Sequence, residues 1–135
     1  MSKPFVDHIG VLVADMDKAV EMFGELFKMA PDMIKDRPDV GVRIAMFETA
    51  NVTIELLQYS DQAQSFTRDV MGDRMGINHV CFQVDDVEKS VEEITARGVD
   101  MIEGFPIQGA HGRVAFFDPD QTENFFFEVC QPDHD

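Results

Sequence analysis

His8, Glu55, His79 and Glu128 are the residues whose type and spacing could hold a metal ion. His8 stands in Asp7-His8-Ile9-Gly10-Val11-Leu12-Val13, and His79 in Asn78-His79-Val80-Cys81-Phe82-Gln83-Val84. The two stretches align without a gap at an offset of 71 residues. Ile54-Glu55-Leu56 and Phe127-Glu128-Val129 form a second matching pair at nearly the same offset. All four stretches are apolar and β-prone, so each copy places one His and one Glu on strands. Any one of these residues alone would read as a core histidine or a solvent-facing glutamate. Four of them at matching places in an internal repeat read as a ligand set. Side chains alternate across a strand. His8 therefore shares a face with Val6 and Gly10, Glu55 with Thr53 and Leu57, His79 with Cys81, and Glu128 with Phe126 and Cys130. A pseudo-two-fold relation between the copies would bring all four to one point. Imidazole and carboxylate together suit one borderline divalent ion, Co, Ni, Zn, Mn or Fe, with two positions left for water or a chelating substrate. Cys81 and Cys130 fall on the ligand face and are expected to line it as buried free thiols, not as a disulfide.

The elements that must position these residues follow from periodicity. Residues 5–13 predict a strand. Asp15 caps a helix through about residue 28, with Met16, Val20, Phe23 and Phe27 at helical spacing and Pro31 closing it. Residues 31–37 are a weak strand candidate. Val40–Phe47 and Val52–Tyr59 are strands joined by a turn at Glu48-Thr49-Ala50-Asn51. A short helix over Asp61–Arg74 links the copies. The second copy repeats the order: a strand at 77–84, a helix at Asp86–Arg97 stopped by Gly98, and a strand candidate at Val99–Glu103. A glycine-rich loop follows from Gly104 to Gly112, then a strand at Arg113–Phe117, a turn at Asp118-Pro119-Asp120 and a last strand at Asn124–Cys130. The expected fold class is α+β, with two tandem βαβββ modules forming a curved eight-stranded mixed sheet. The expected organisation is a single domain over 1–135, with module one at about 5–60, a linker at 61–75 and module two at 76–131. The face away from the helices would form a cup.

Bulk properties narrow the partners. A formal net charge of -15 argues against nucleic acid and anionic membrane surfaces as partners. No run approaches the length and apolarity of a membrane span. Met1-Ser2-Lys3-Pro4 leads straight into a strand pattern, so the expectation is a cytosolic protein without a leader.

These residues carry a resemblance. The stretches Asp7-His8-Ile9-Gly10, Ile54-Glu55-Leu56-Leu57, Ile77-Asn78-His79-Val80, Gly109-Ala110-His111-Gly112 and Phe127-Glu128 resemble the vicinal oxygen chelate superfamily, the glyoxalase/bleomycin-resistance/dioxygenase fold. The Gly-Ala-His-Gly loop most resembles its methylmalonyl-CoA epimerase branch. The resemblance implies that His8, Glu55, His79 and Glu128 bind the metal. It implies an epimerase interconverting (R)- and (S)-methylmalonyl-CoA through a metal-stabilised enolate, with a small acyl-CoA as partner and a homodimer as assembly. There are departures: Asp118-Pro119-Asp120 replaces a His-Pro-Lys turn, Phe125-Phe126-Phe127 replaces smaller residues, and Glu55 stands where some epimerases carry Gln. Ile44 stands where some carry a Glu base, which leaves Glu128 and Glu55 as candidate bases, with His111 as another. Gly109 and Gly112 could let backbone N–H groups approach the substrate, with His111 in the same loop. Arg113, and more remotely Arg43 and Arg74, are candidates for the CoA phosphates.

Three rivals share the scaffold. A glyoxalase I type lactoylglutathione lyase uses the same ligand set. An iron dioxygenase would need a two-His, one-carboxylate triad, against which the fourth ligand weighs. A non-enzymatic binding protein would use the cup for an apolar ligand, in keeping with nine Met and twelve Phe.

Overall fold

The computed structural model describes residues 3–60, 66–109 and 112–133. The chain divides into two compact units, one of residues 8–78 and one joining residues 1–7 to 79–135. Among the described residues there are eight strands, mixed in direction, with the helices in the order that two βαβββ modules require.

In the first unit, β1 (Val6–Leu12, from His8 onward) leads to α1 (Met16–Phe27), then β2 (Met33–Arg37), β3 (Val42–Glu48) and β4 (Thr53–Tyr59). The strand order is β2-β3-β4-β1, antiparallel except where β1 runs parallel to β4. Asp15 caps α1 by accepting from the Lys18 N–H at 3.1 Å, and the first helical N–H, that of Met16, donates to the Gln58 side chain at 2.6 Å. Two orphan donors of the helix start are thereby satisfied. The apolar face of α1 lies on the sheet face of Ala45, Phe47 and Leu56, and Phe23 meets Phe47 with ring centroids 4.5 Å apart. Burying a side chain such as Phe47 contributes about 2–3 kcal/mol. The helix ends at Phe27, before Pro31, because Lys28 takes the left-handed conformation (φ 57°) and its N–H caps the Gly24 carbonyl. A short helix, α2 (Phe66–Met71), follows Asp61–Ser65, which lie outside the described residues.

The second unit contains β5 (Gly76–Gln83, from His79 onward), α3 (Val87–Ala96), β6 (Ile107–Gln108), β7 (Gly112–Phe116) and β8 (Phe127–Pro132) in the order β5-β8-β7-β6. Its helix start repeats the first. Asp86 accepts from the Lys89 N–H at 3.1 Å, and the Val87 N–H donates to Gln131 at 3.0 Å. Gln58 and Gln131 each stand three residues beyond the glutamate of their copy, so alternation points each Gln at the helix when its Glu points away.

Three sequence expectations change here. Val99–Glu103 is not a strand. Only Met101 bridges to Phe117, since the flanking Gly98 and Gly104 both turn the chain at positive φ. The short strand lies instead at Ile107–Gln108, within the predicted loop. The last strand begins at Phe127, not Asn124. Glu123 and Asn124 are left-handed, and the Phe125 N–H closes a turn on the Thr122 carbonyl at 2.9 Å. No described helix is long and apolar enough to cross a membrane.

Candidate metal centre

Strand register sets the two His–Glu pairs in the same way. In the first unit Glu55 lies opposite Gly10, two residues beyond His8 on the parallel neighbour strand. In the second, Glu128 lies opposite Cys81, two residues beyond His79. Directly opposed residues project from the same face, and so do residues two apart. Each His and its Glu therefore share a face, the one away from their own helix. His8 Nε2 lies 3.7 Å from Glu55 Oε2, and His79 Nε2 lies 3.4 Å from Glu128 Oε1. All four residues are buried.

The surroundings are apolar. The His79 ring stands edge-on to Phe116 at 5.1 Å and to Phe126 at 6.1 Å. On the Glu55 face of β3, Met46 lies opposite Glu55 and the buried Ile44 lies opposite Leu57. Buried imidazoles and carboxylates need partners that justify their desolvation. Two ligand atoms bonded to one ion at about 2.1 Å lie about 3.0–3.4 Å apart at right or tetrahedral angles. The 3.4 Å spacing of His79 and Glu128 suits a shared cation, and the 3.7 Å spacing of His8 and Glu55 exceeds the range by about 0.3 Å, within reach of a small side-chain rotation. The donor chemistry, one imidazole and one carboxylate per unit, fits a borderline divalent ion.

In the glycine loop, the described residues Gly109 and Gly112 serve the turn and the sheet. The Gly109 N–H donates to the Gly112 carbonyl at 2.7 Å, so this amide closes the loop on itself. At Gly112 a Cβ would stand 2.1 Å from the Gln131 carbonyl oxygen, so glycine is required for β7 to approach β8. His111 and Ala110 lie outside the described residues. Arg113 lies opposite Gln131, on the α3 side of the sheet, and its Nε donates to Glu88 of α3. Arg43 donates to Asp36 at 2.8 Å and holds that carboxyl below the usual range, chiefly through this hydrogen bond. Both guanidinium groups are thus engaged with carboxylates of their own unit.

Cys81 and Cys130 are buried free thiols, as expected. Burial pushes the Cys81 thiol up, reinforced by a hydrogen bond with Cys130 and by the nearby Glu128 charge. The residue that sequence reasoning passed over is Asp7. Its Oδ1 accepts from the Gln83 amide at 2.9 Å, and its carboxylate joins the two thiols. The available signal was an acidic residue beside His8 where the other copy has Asn78.

The sequence pattern of the Glyoxalase/Bleomycin resistance protein/Dioxygenase superfamily matches residues 7–117. An uncharacterized protein of Bacillus subtilis, YqjC, is 26% identical over 96% of this chain and 94% of its own. The mitochondrial methylmalonyl-CoA epimerase of Dictyostelium discoideum is 24% identical over 92% of this chain and 76% of its own. Among solved structures, the hypothetical protein BH1468 of Bacillus halodurans superposes with a TM-score of 0.87 at 27% identity, covering 99% of this chain and 98% of that one.

Proposed function

The chain belongs to the glyoxalase/bleomycin resistance protein/dioxygenase superfamily, and on that premise we propose that it is a metal-dependent epimerase of (R)- and (S)-methylmalonyl-CoA. The duplicated His–Glu pair, buried and in matching register in both units, supports the metal centre, and the similarity to a methylmalonyl-CoA epimerase supports the choice of reaction. His8, Glu55, His79 and Glu128 would together hold one divalent ion. When bound, that ion supplies a Lewis acid for the negative charge that develops on the substrate when its α-proton leaves.

The remaining chemistry falls to the chain. A weak carbon acid between a thioester and a carboxylate needs a general base within hydrogen-bond reach. Ile44 offers no carboxylate, so the candidate bases are Glu128 and Glu55, each on an interior strand of its unit, with His111 of the glycine loop as another; whichever glutamate takes the proton would have to loosen from the ion to do so. Phe116 and Phe126 stand around His79, an apolar setting in which charge interactions at Glu128 are stronger than in water. The reading includes a single domain, a homodimeric assembly in the cytosol, and a small acyl-CoA with neither nucleic acid nor membrane as partner.

A lactoylglutathione lyase of the same fold is the second reading. It is favoured by two features: Ile44 occupies the place where some epimerases carry a base, and Glu55 supplies a second carboxylate.

One experiment separates the two. The cobalt-loaded protein is incubated with methylmalonyl-CoA in deuterated water, and loss of the α-proton is followed by NMR. The expected result is rapid exchange that falls by about 10²–10⁴-fold in Glu128→Ala. No exchange with metal bound overturns the epimerase reading. Turnover of the hemithioacetal of glutathione and methylglyoxal would then establish the lyase.

A further inference from the structure

The second unit carries a second group of ligand atoms, which the proposed reaction does not use. The Asp7 carboxylate, Cys81 Sγ and Cys130 Sγ lie within 4.8 Å of one another, with both cysteines buried. Their convergence follows from register. Cys81 on β5 lies opposite Glu128, and Cys130 on β8 lies opposite Gln83, so both thiols project from one face of two paired parallel strands. Gln83, on that same face, donates its amide to Asp7 and orients the carboxylate.

The fold does not demand these residues. By register the first copy places Gly10 where the second has Cys81, and Leu57 where the second has Cys130. Glycine and leucine meet the packing requirement there, so the two thiols are a feature of the second copy alone.

We propose that Asp7, Cys81 and Cys130 form a site for a thiophilic divalent cation of the zinc–cadmium class, adjoining the His–Glu centre, since Cys81 Sγ also lies within 4.8 Å of a Glu128 carboxylate oxygen. Two thiolates and a carboxylate select softer ions than imidazole and carboxylate do. Bond lengths of about 2.3 Å to sulfur and about 2.0–2.2 Å to oxygen require ligand atoms about 3.4–3.8 Å apart at tetrahedral angles, so side-chain rotations of about an ångström close the cluster. Binding replaces one proton on each thiol with a bond to the ion and releases both protons to solvent; the carboxylate binds as it stands. The site goes beyond the proposed activity and holds whether or not the chain is an epimerase. Cys81 and Cys130 each follow a member of the His–Glu pair by two residues on the same face, so a bound ion would grip β5 and β8 beside His79 and Glu128.

The test is titration of the full chain with cadmium, read by the ultraviolet thiolate-to-cadmium charge-transfer band. An ion held by imidazole and carboxylate alone gives no such band. The expected result is one saturable band, with affinity lowered by about 100-fold in Cys81→Ala and in Cys130→Ala, and by about 10-fold in Asp7→Asn. Cadmium NMR on the unaltered protein counts the sulfur ligands directly, so the result stands even where a variant misfolds. Two sulfurs support the site. Absence of the band at saturating cadmium, a single sulfur ligand, or a band unchanged by Cys130→Ala would overturn it.

Discussion

Glu128 Oε1 lies 3.4 Å from His79 Nε2, and the register that puts it there is repeated at His8 and Glu55 with a separation of 3.7 Å. In each copy the glutamate stands opposite the residue two beyond the histidine on a parallel neighbour strand. The pair is thus a property of one repeated strand–strand relationship. Removing either member leaves a buried polar group that has lost its counterpart.

From this equivalence comes a stoichiometry. Loaded with manganese, an ion that thiolates do not favour, the protein is expected to bind one ion per chain, with His8→Ala and His79→Ala each lowering affinity by at least about 100-fold. Metal content by inductively coupled plasma mass spectrometry checks it. Two ions per chain, each lost with only one histidine, would mean that the pairs act separately.

Tyr59 provides a pH dependence independent of the metal. Burial, with the Asp73 charge adding to it, pushes its pKa up to about 12 from 10.0, and its hydroxyl donates to the Gly72 carbonyl. The raised value means that the folded state favours the protonated phenol. The stabilisation is complete below about pH 10 and is lost as pH rises towards 12. Urea denaturation at a series of alkaline pH values is expected to show this loss in the wild type. Tyr59→Phe should remove that component of the pH dependence at a cost of about 1 kcal/mol at neutral pH.

Gly112→Ala is expected to destabilise the second unit by about 3 kcal/mol or more. The added Cβ would fall 2.1 Å from the Gln131 backbone oxygen, and backbone yields less readily than a flexible side chain. A change below about 0.5 kcal/mol in chemical denaturation would show that β7 can move away from β8 without loss.

The helix starts offer a matched pair of tests. Asp15→Ala and Asp86→Ala each remove one cap bond of 3.1 Å to the third helical N–H. Each is expected to cost about 1 kcal/mol, and their combination about twice that, because the caps belong to different units. Thermal denaturation of the single and double variants reads both values.

The sequence by itself determined the repeat, the helices with their acidic caps, the strands bearing the two histidines and two glutamates, and the free state of the cysteines. These are local properties: apolar alternation, helical spacing and capping residues act over a few positions, and the repeat wrote each of them twice. The tertiary structure decided what depends on partners distant in the chain. Asn124–Phe126 reads as the start of a strand, yet left-handed residues at 123 and 124 hold it in a turn. Arg113 neighbours the glycine loop in sequence, yet strand alternation turns it towards Glu88 of α3. Gly112 reads as a loop glycine, yet its reason is an approach to Gln131 across the sheet. Asp7 differs from Asn78 of the other copy, yet only the fold sets its carboxylate beside Cys81 and Cys130. Register between strands is fixed by pairing along their whole length, and that information belongs to no single stretch of the chain.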